Sequence, residues 1–118
     1  MILLTKELKA RLIANGIKQA PLRGTPQEID FKPVVKLFTP DAGATWLLCE
    51  ILDDNHDLAF GLCDLGLGFP ELGLVSLMEL AEVRGNIGLP VERDRNFEAD
   101  RTLLEYCRIA NEAGRIIA

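Results

Sequence analysis

Apolar and polar positions alternate along this chain with two different periods. Leu4, Leu8 and Leu12 recur every four residues, with Ile13 widening the stripe, while Lys6, Lys9 and Arg11 fall mostly on other sides. That spacing predicts a helix buried along one face. Thr5 is placed to cap it and Gly16 to close it, so the helix is expected over residues 5–14. The periodicity then disappears over residues 17–32, where Pro21, Gly24 and Pro26 break the chain into a loop or an unpaired extended segment.

A period of two follows. Residues 33–39 are β-rich, with Val34, Val35, Leu37 and Phe38. Pro40-Asp41-Ala42-Gly43 has turn chemistry. Residues 44–52 read as the next strand, with Trp46 and Leu48 on one face and Leu47, Cys49 and Ile51 on the other. Both faces are apolar, which predicts a central strand. Asp53-Asp54-Asn55-His56 is a polar turn, and residues 57–64 form a third strand. Connections this short favour antiparallel pairing.

Residues 65–73 hold three glycines and a proline, which argue against a long regular element. Leu65, Leu67 and Phe69 are expected to tuck inward from this loop, and Leu74-Val75 to add at most a brief strand. Ser76 and Glu79 have capping-box spacing and open a helix expected to reach Arg84, with Leu77, Leu80 and Ala81 inward. Residues 86–99 read as irregular or short strand. Thr102 and Glu105 form a second capping box, opening a helix to about Ala113 that Gly114 stops, with a stripe of Leu103, Cys107 and Ala110. The expected class is therefore α+β. A small antiparallel sheet of three to four strands carries an N-terminal, a middle and a C-terminal helix.

Composition narrows this picture. The chain has 118 residues, 48% hydrophobic and 26% charged, with mean hydropathy +0.14. That is the size and make-up of one globular domain, expected over residues 1–118. No apolar run approaches the roughly 20 residues of a membrane helix, and Lys6, Glu7 and Lys9 interrupt the N-terminal stretch before it reaches the length of a secretory signal. The expected compartment is the cytosol. Cys49, Cys63 and Cys107 lack paired spacing and sit among apolar neighbours, as reduced core cysteines do. The net charge of −5 lacks the Lys/Arg excess that drives phosphate binding and suits a basic partner instead.

Candidate chemistry is sparse. The glycine-rich stretch has neither a GxGxxG nor a GxxxxGK[ST] pattern and no Lys placed to meet phosphate. His56 is the sole histidine and lies in a turn, so neither a nucleophilic site nor zinc is indicated, and no cofactor is expected. Asp64 and Glu71 flank the glycine loop, and Glu92, Asp94, Glu98 and Asp100 cluster later. Paired carboxylates of this kind can hold a metal or do acid–base work, but they are more often solvated. Glu92-Arg93-Asp94-Arg95 alternates in sign and precedes Phe97, which suits either a network fastening the loop or a partner-facing patch. The candidate face is thus Asp64, Glu71, Glu92, Arg93, Asp94, Arg95 and Phe97. The two irregular segments are expected to pack together, with Arg93 bonding Glu71 or Asp64.

Three blocks carry a resemblance. Residues 34–41 (VVKLFTPD) with 44–48 (ATWLL), residues 59–73 (AFGLCDLGLGFPELG), and residues 89–94 (LPVERD) with Phe97 are similar to the small family called Domain of Unknown Function 2958. The similarity covers nearly the whole chain except the loop around residues 17–30. The resemblance implies cargo of plasmids and other bacterial mobile elements, with one branch linked to inhibition of a type II CRISPR effector nuclease. It supplies no catalytic residues. Two functions are therefore expected to compete. One is a non-enzymatic accessory or inhibitor docking on a nucleic-acid-handling protein, such as a basic nuclease. The other is an enzyme or metal-binding domain using Asp64, Glu71, Glu92 and Asp94. Convergence of those carboxylates in one pocket would favour the second.

Overall fold

A computed structural model describes residues 3–118. Thr5 caps the first helix as expected: its Oγ1 accepts from the Leu8 N–H at 3.1 Å. Helix α1, Lys6–Gln19, does not stop near Gly16 but runs past it and tightens into a 3₁₀ turn at Ala20–Leu22. Gly16 is there for close approach, not for termination. A Cβ on it would lie 1.7 Å from the carbonyl oxygen of Ile51.

Among the described residues five strands form one sheet: β1 (Val35–Phe38), β2 (Thr45–Leu52), β3 (Asn55–Asp64), β4 (Glu71–Ser76) and β5 (Glu92–Arg93), ordered β4-β3-β2-β1-β5. Every pairing is antiparallel. The expected three to four strands become five because β4 begins at Glu71, inside the glycine-rich segment, and because the two residues of β5 add to β1. A ladder with β3 sets β4: Glu71 faces Cys63, Gly73 faces Gly61 and Val75 faces Ala59. Tertiary pairing overrides the poor strand propensity of that stretch.

The central strand β2 has apolar side chains on both faces because both faces are covered. Leu12, Leu37, Trp46, Leu48, Ile51 and Leu80 join the core on the side of α1 and of helix α2 (Leu77–Glu82). Leu47, Cys49 and Leu62 pack on the other side against Leu103, Tyr106 and Ala110 of helix α3 (Leu103–Ala113). Ile51 thus sits with Trp46 and Leu48, not with Leu47 and Cys49. A register shift between Leu48 and Glu50 adds a residue and reverses the alternation beyond it. β1 pairs with β2 only as far as Leu48; past that point α1 lies against the β2 backbone, and Asn15 Nδ2 donates to the Cys49 carbonyl at 2.9 Å.

Ser76 caps α2 by accepting from Glu79 N–H at 3.1 Å, and Asp57 completes the cap, accepting from Ser76 Oγ at 2.6 Å and Met78 N–H at 2.9 Å. The helix ends at Glu82, short of Arg84, and Ala81 is exposed rather than inward. Arg84 instead bridges to Pro90, closing a small loop. Asp41 Oδ2 holds that loop by accepting from Ile87 and Leu89 N–H at 2.8 and 3.2 Å. The Thr102–Glu105 capping box forms in full, and Gly114 ends α3 in the left-handed conformation. No helix among the described residues is long and apolar enough to cross a membrane.

Candidate functional site

The residues of the expected face lie along one end of the sheet but do not converge. Asp64 ends β3 and is buried. Its Oδ1 accepts from Gly66 N–H at 2.8 Å and its Oδ2 from Ile116 N–H at 2.9 Å, so it fastens the glycine loop and the C-terminal tail to the sheet. Both oxygens serve the backbone, which makes this carboxylate a structural anchor. Glu71 opens β4 at one edge, opposite Cys63. Burial, followed by the Glu71 charge, pushes the Cys63 thiol up to about 11.

Glu92 and Arg93 form β5 at the other edge. The register runs Glu71, Cys63, Trp46, Leu37, Arg93 across the five strands. Four inter-strand steps of about 4.8 Å put roughly 19 Å between the ends of that row. The expected packing of residues 65–73 on 92–97 therefore does not occur, because the β1–β2 hairpin stands between them. Gly66, at φ +81°, lies instead against Gly43 of that hairpin turn. Arg93 Nη1 donates to the Leu3 carbonyl at 2.6 Å, tying the N-terminal segment to β5. Asp94 accepts from Asn96 N–H at 2.9 Å and lies 3.7 Å from Lys36 Nζ. With Arg95, these residues border an open groove of about 640 Å³ against Phe38 and Thr45. Phe97 turns inward, packing on Tyr106 with ring centroids 6.5 Å apart. The segment fastens a loop, and its aromatic residue is a core contact rather than a free anchor.

Asp64, Glu71, Glu92 and Asp94 therefore belong to different strands and loops. No group of three or more His, Cys, Asp or Glu side chains that could hold a metal ion occurs among the described residues.

The surface that stands out is one the sequence pattern assigned to the interior. Leu65, Leu67 and Phe69 do not tuck in; Leu67 is 74% exposed and Phe69 78%. The loop is held from below by Asp64 and by buried Pro70, with its apolar side chains outward. It leads directly into β4, where Leu72 and Leu74 are 37% and 51% exposed. Those two lie opposite Leu62 and Phe60, on the α3 face. Helix α3 covers β2 and β3 on that face and leaves β4 bare.

Beside this strip a cleft of about 310 Å³ opens between β2–β4, the start of α3 and the loop before β1. Phe31, Phe60, Leu72, Leu103 and Leu104 supply its apolar lining; Glu28, Asp30 and Glu50 supply carboxylates. Glu50 is 1% exposed and ion-paired through Oε1 with Arg23 Nη2. Burial pushes the Cys49 thiol far up, with Glu50 and Asp30 adding to the effect. Glu50 was missed in the sequence, although a lone carboxylate inside the apolar run TWLLCEIL is a signal that a buried charge needs a partner. The exposed strip had a weaker signal: large apolar residues spaced by glycines have no periodic face to bury.

The chain belongs to the family described as "Protein of unknown function (DUF2958)", whose model matches residues 3–117. No match was found among curated proteins or solved structures.

Proposed function

We propose that this family member is a non-enzymatic binding protein, an accessory or inhibitor encoded by a bacterial mobile element that docks on a basic nucleic-acid-handling protein. An anti-CRISPR inhibitor of a nuclease is the most specific form of this reading. The observation that carries it is the exposed strip from Leu65 to Leu74: five large apolar side chains face outward within ten residues. Contiguous exposed apolar surface on a small protein is characteristic of an interaction site. The setting on a mobile element rests on the family resemblance, and the basic partner on the net charge of −5. Charge of opposite sign steers encounter over about a Debye length, roughly 8 Å at physiological salt, while apolar anchors supply the lasting contact. Dispersal of Asp64, Glu71, Glu92 and Asp94 gives the carboxylate-enzyme alternative no common pocket.

The test is capture of the partner from a native host lysate, followed by association kinetics at low and high salt. The association rate is expected to fall as salt rises, and Leu67→Asp with Phe69→Asp is expected to accelerate dissociation. Association indifferent both to salt and to those substitutions would overturn the reading. Turnover of a substrate that a chelator abolishes would replace it with the enzyme.

A further inference from the structure

We infer that the free edge of β4 and the cleft beside it together receive one extended, basic and apolar segment of the partner, which adds to the sheet as a sixth strand. This rests on the binding reading above and specifies how the partner is held. β4 is the outermost strand, and its outer backbone groups have no strand partner among the described residues. Edge strands are ordinarily protected by lysine, proline or a bulge. Here Glu71 is the only charged residue from Glu71 to Ser76, no proline interrupts the strand, and its pairing with β3 is regular throughout. Such an edge is a template for main-chain pairing, in which alternate side chains of the incoming strand provide specificity.

The cleft identifies the occupant. Side chains of an added strand that face α3 would cover Leu72 and Leu74, and Leu72 is itself part of the cleft wall. Asp30 Oδ1 accepts from Leu104 N–H at 3.1 Å, and Glu28 Oε2 accepts from Gly24 N–H at 3.1 Å. Each carboxylate keeps a second oxygen beyond those bonds. A lysine or arginine fits this combination: its methylene stem lies on Leu72, Phe60 and Leu104, and its charged head turns to the free oxygens of the Asp30 and Glu28 carboxylates. A second copy of the chain fits less well, since it would bring the same acidic cleft and another net charge of −5 to the same contact.

The probe is a synthetic peptide of alternating valine and lysine, compared with its valine–glutamate counterpart, titrated into isotope-labelled protein and followed by amide chemical shifts. The lysine peptide is expected to move the amides of Leu72, Leu74, Phe60 and Leu104, and the glutamate peptide to leave them in place. Leu74→Lys, at an exposed position, and Asp30→Asn, which keeps an acceptor for Leu104, are each expected to weaken binding about tenfold. Equal binding of both peptides, shifts confined to residues 92–96, or concentration-dependent broadening of β4 without peptide (a second copy on the edge) would each overturn the inference. A partner that still binds Leu74→Lys normally but loses Leu67→Asp with Phe69→Asp would refute the strand addition alone and leave the binding reading standing.

Discussion

Single residues in this chain do more fastening than chemistry. Asp57 is the clearest case. The hydrogen bond from Ser76, then that from the Met78 N–H, hold its carboxyl below the ordinary 3.8. The Tyr106 hydroxyl does the same for Asp100, and Glu105 is lowered by the Thr102 N–H. A carboxyl depressed in the folded state contributes stability above its unfolded value and loses that contribution as pH falls through the folded one. Urea midpoints are therefore expected to hold steady above about pH 5 and to decline below about pH 4. Asp57→Asn should flatten that decline; an unchanged slope would mean the α2 cap does not contribute. The thiols make a second test. With Cys63 raised to about 11 and Cys49 buried, only a small thiolate fraction exists at pH 8, so both should label slowly without denaturant. Rapid labelling of either would reveal an opening of the sheet that the packing does not show.

Among the elements, those whose boundaries rest on local chemistry were legible. Thr5, Ser76 and Thr102 mark three helix starts because a hydroxyl before an apolar stripe satisfies orphan amides wherever it occurs. β2 was legible as central because both of its faces are apolar. What failed was anything decided at a distance. Gly16 has the composition of a helix end, yet its role is set by the Ile51 carbonyl thirty-five residues away. The face of Ile51 depends on a bulge that alternation alone cannot show. β4 forms because β3 offers it a ladder, not because of its own sequence. Phe60 illustrates the same limit: an aromatic residue in an apolar strand, it is half-buried at the cleft, whereas Leu62 two residues on is wholly enclosed. Leu62→Ala is accordingly expected to cost about 2–5 kcal/mol. Phe60→Ala should cost less, because part of its ring surface is already in water. Equilibrium denaturation of the two variants decides this, and a larger loss at Phe60 would contradict the assignment of the cleft as open.

For the whole molecule, a sheet covered on both faces leaves one flank unfinished. α1 and α2 close one side, α3 closes most of the other, and the uncovered part coincides with the edge strand and the loop that feeds it. The segment from Glu92 to Phe97 suits either a clasp on the loop or a partner-facing patch, because alternating charge beside an aromatic serves both. Arg93 on the Leu3 carbonyl and Phe97 on Tyr106 show that the clasp is what forms. The acidic composition, by contrast, is independent of fold and carries through to the binding proposal unchanged.

The most direct measurement is amide hydrogen exchange of the protein alone and bound to its captured partner. Binding is expected to slow exchange across residues 65–76 and at the start of α3, while residues 92–97 keep their free-state rates. Protection confined to residues 92–97, with 65–76 exchanging as in the free protein, would contradict the account.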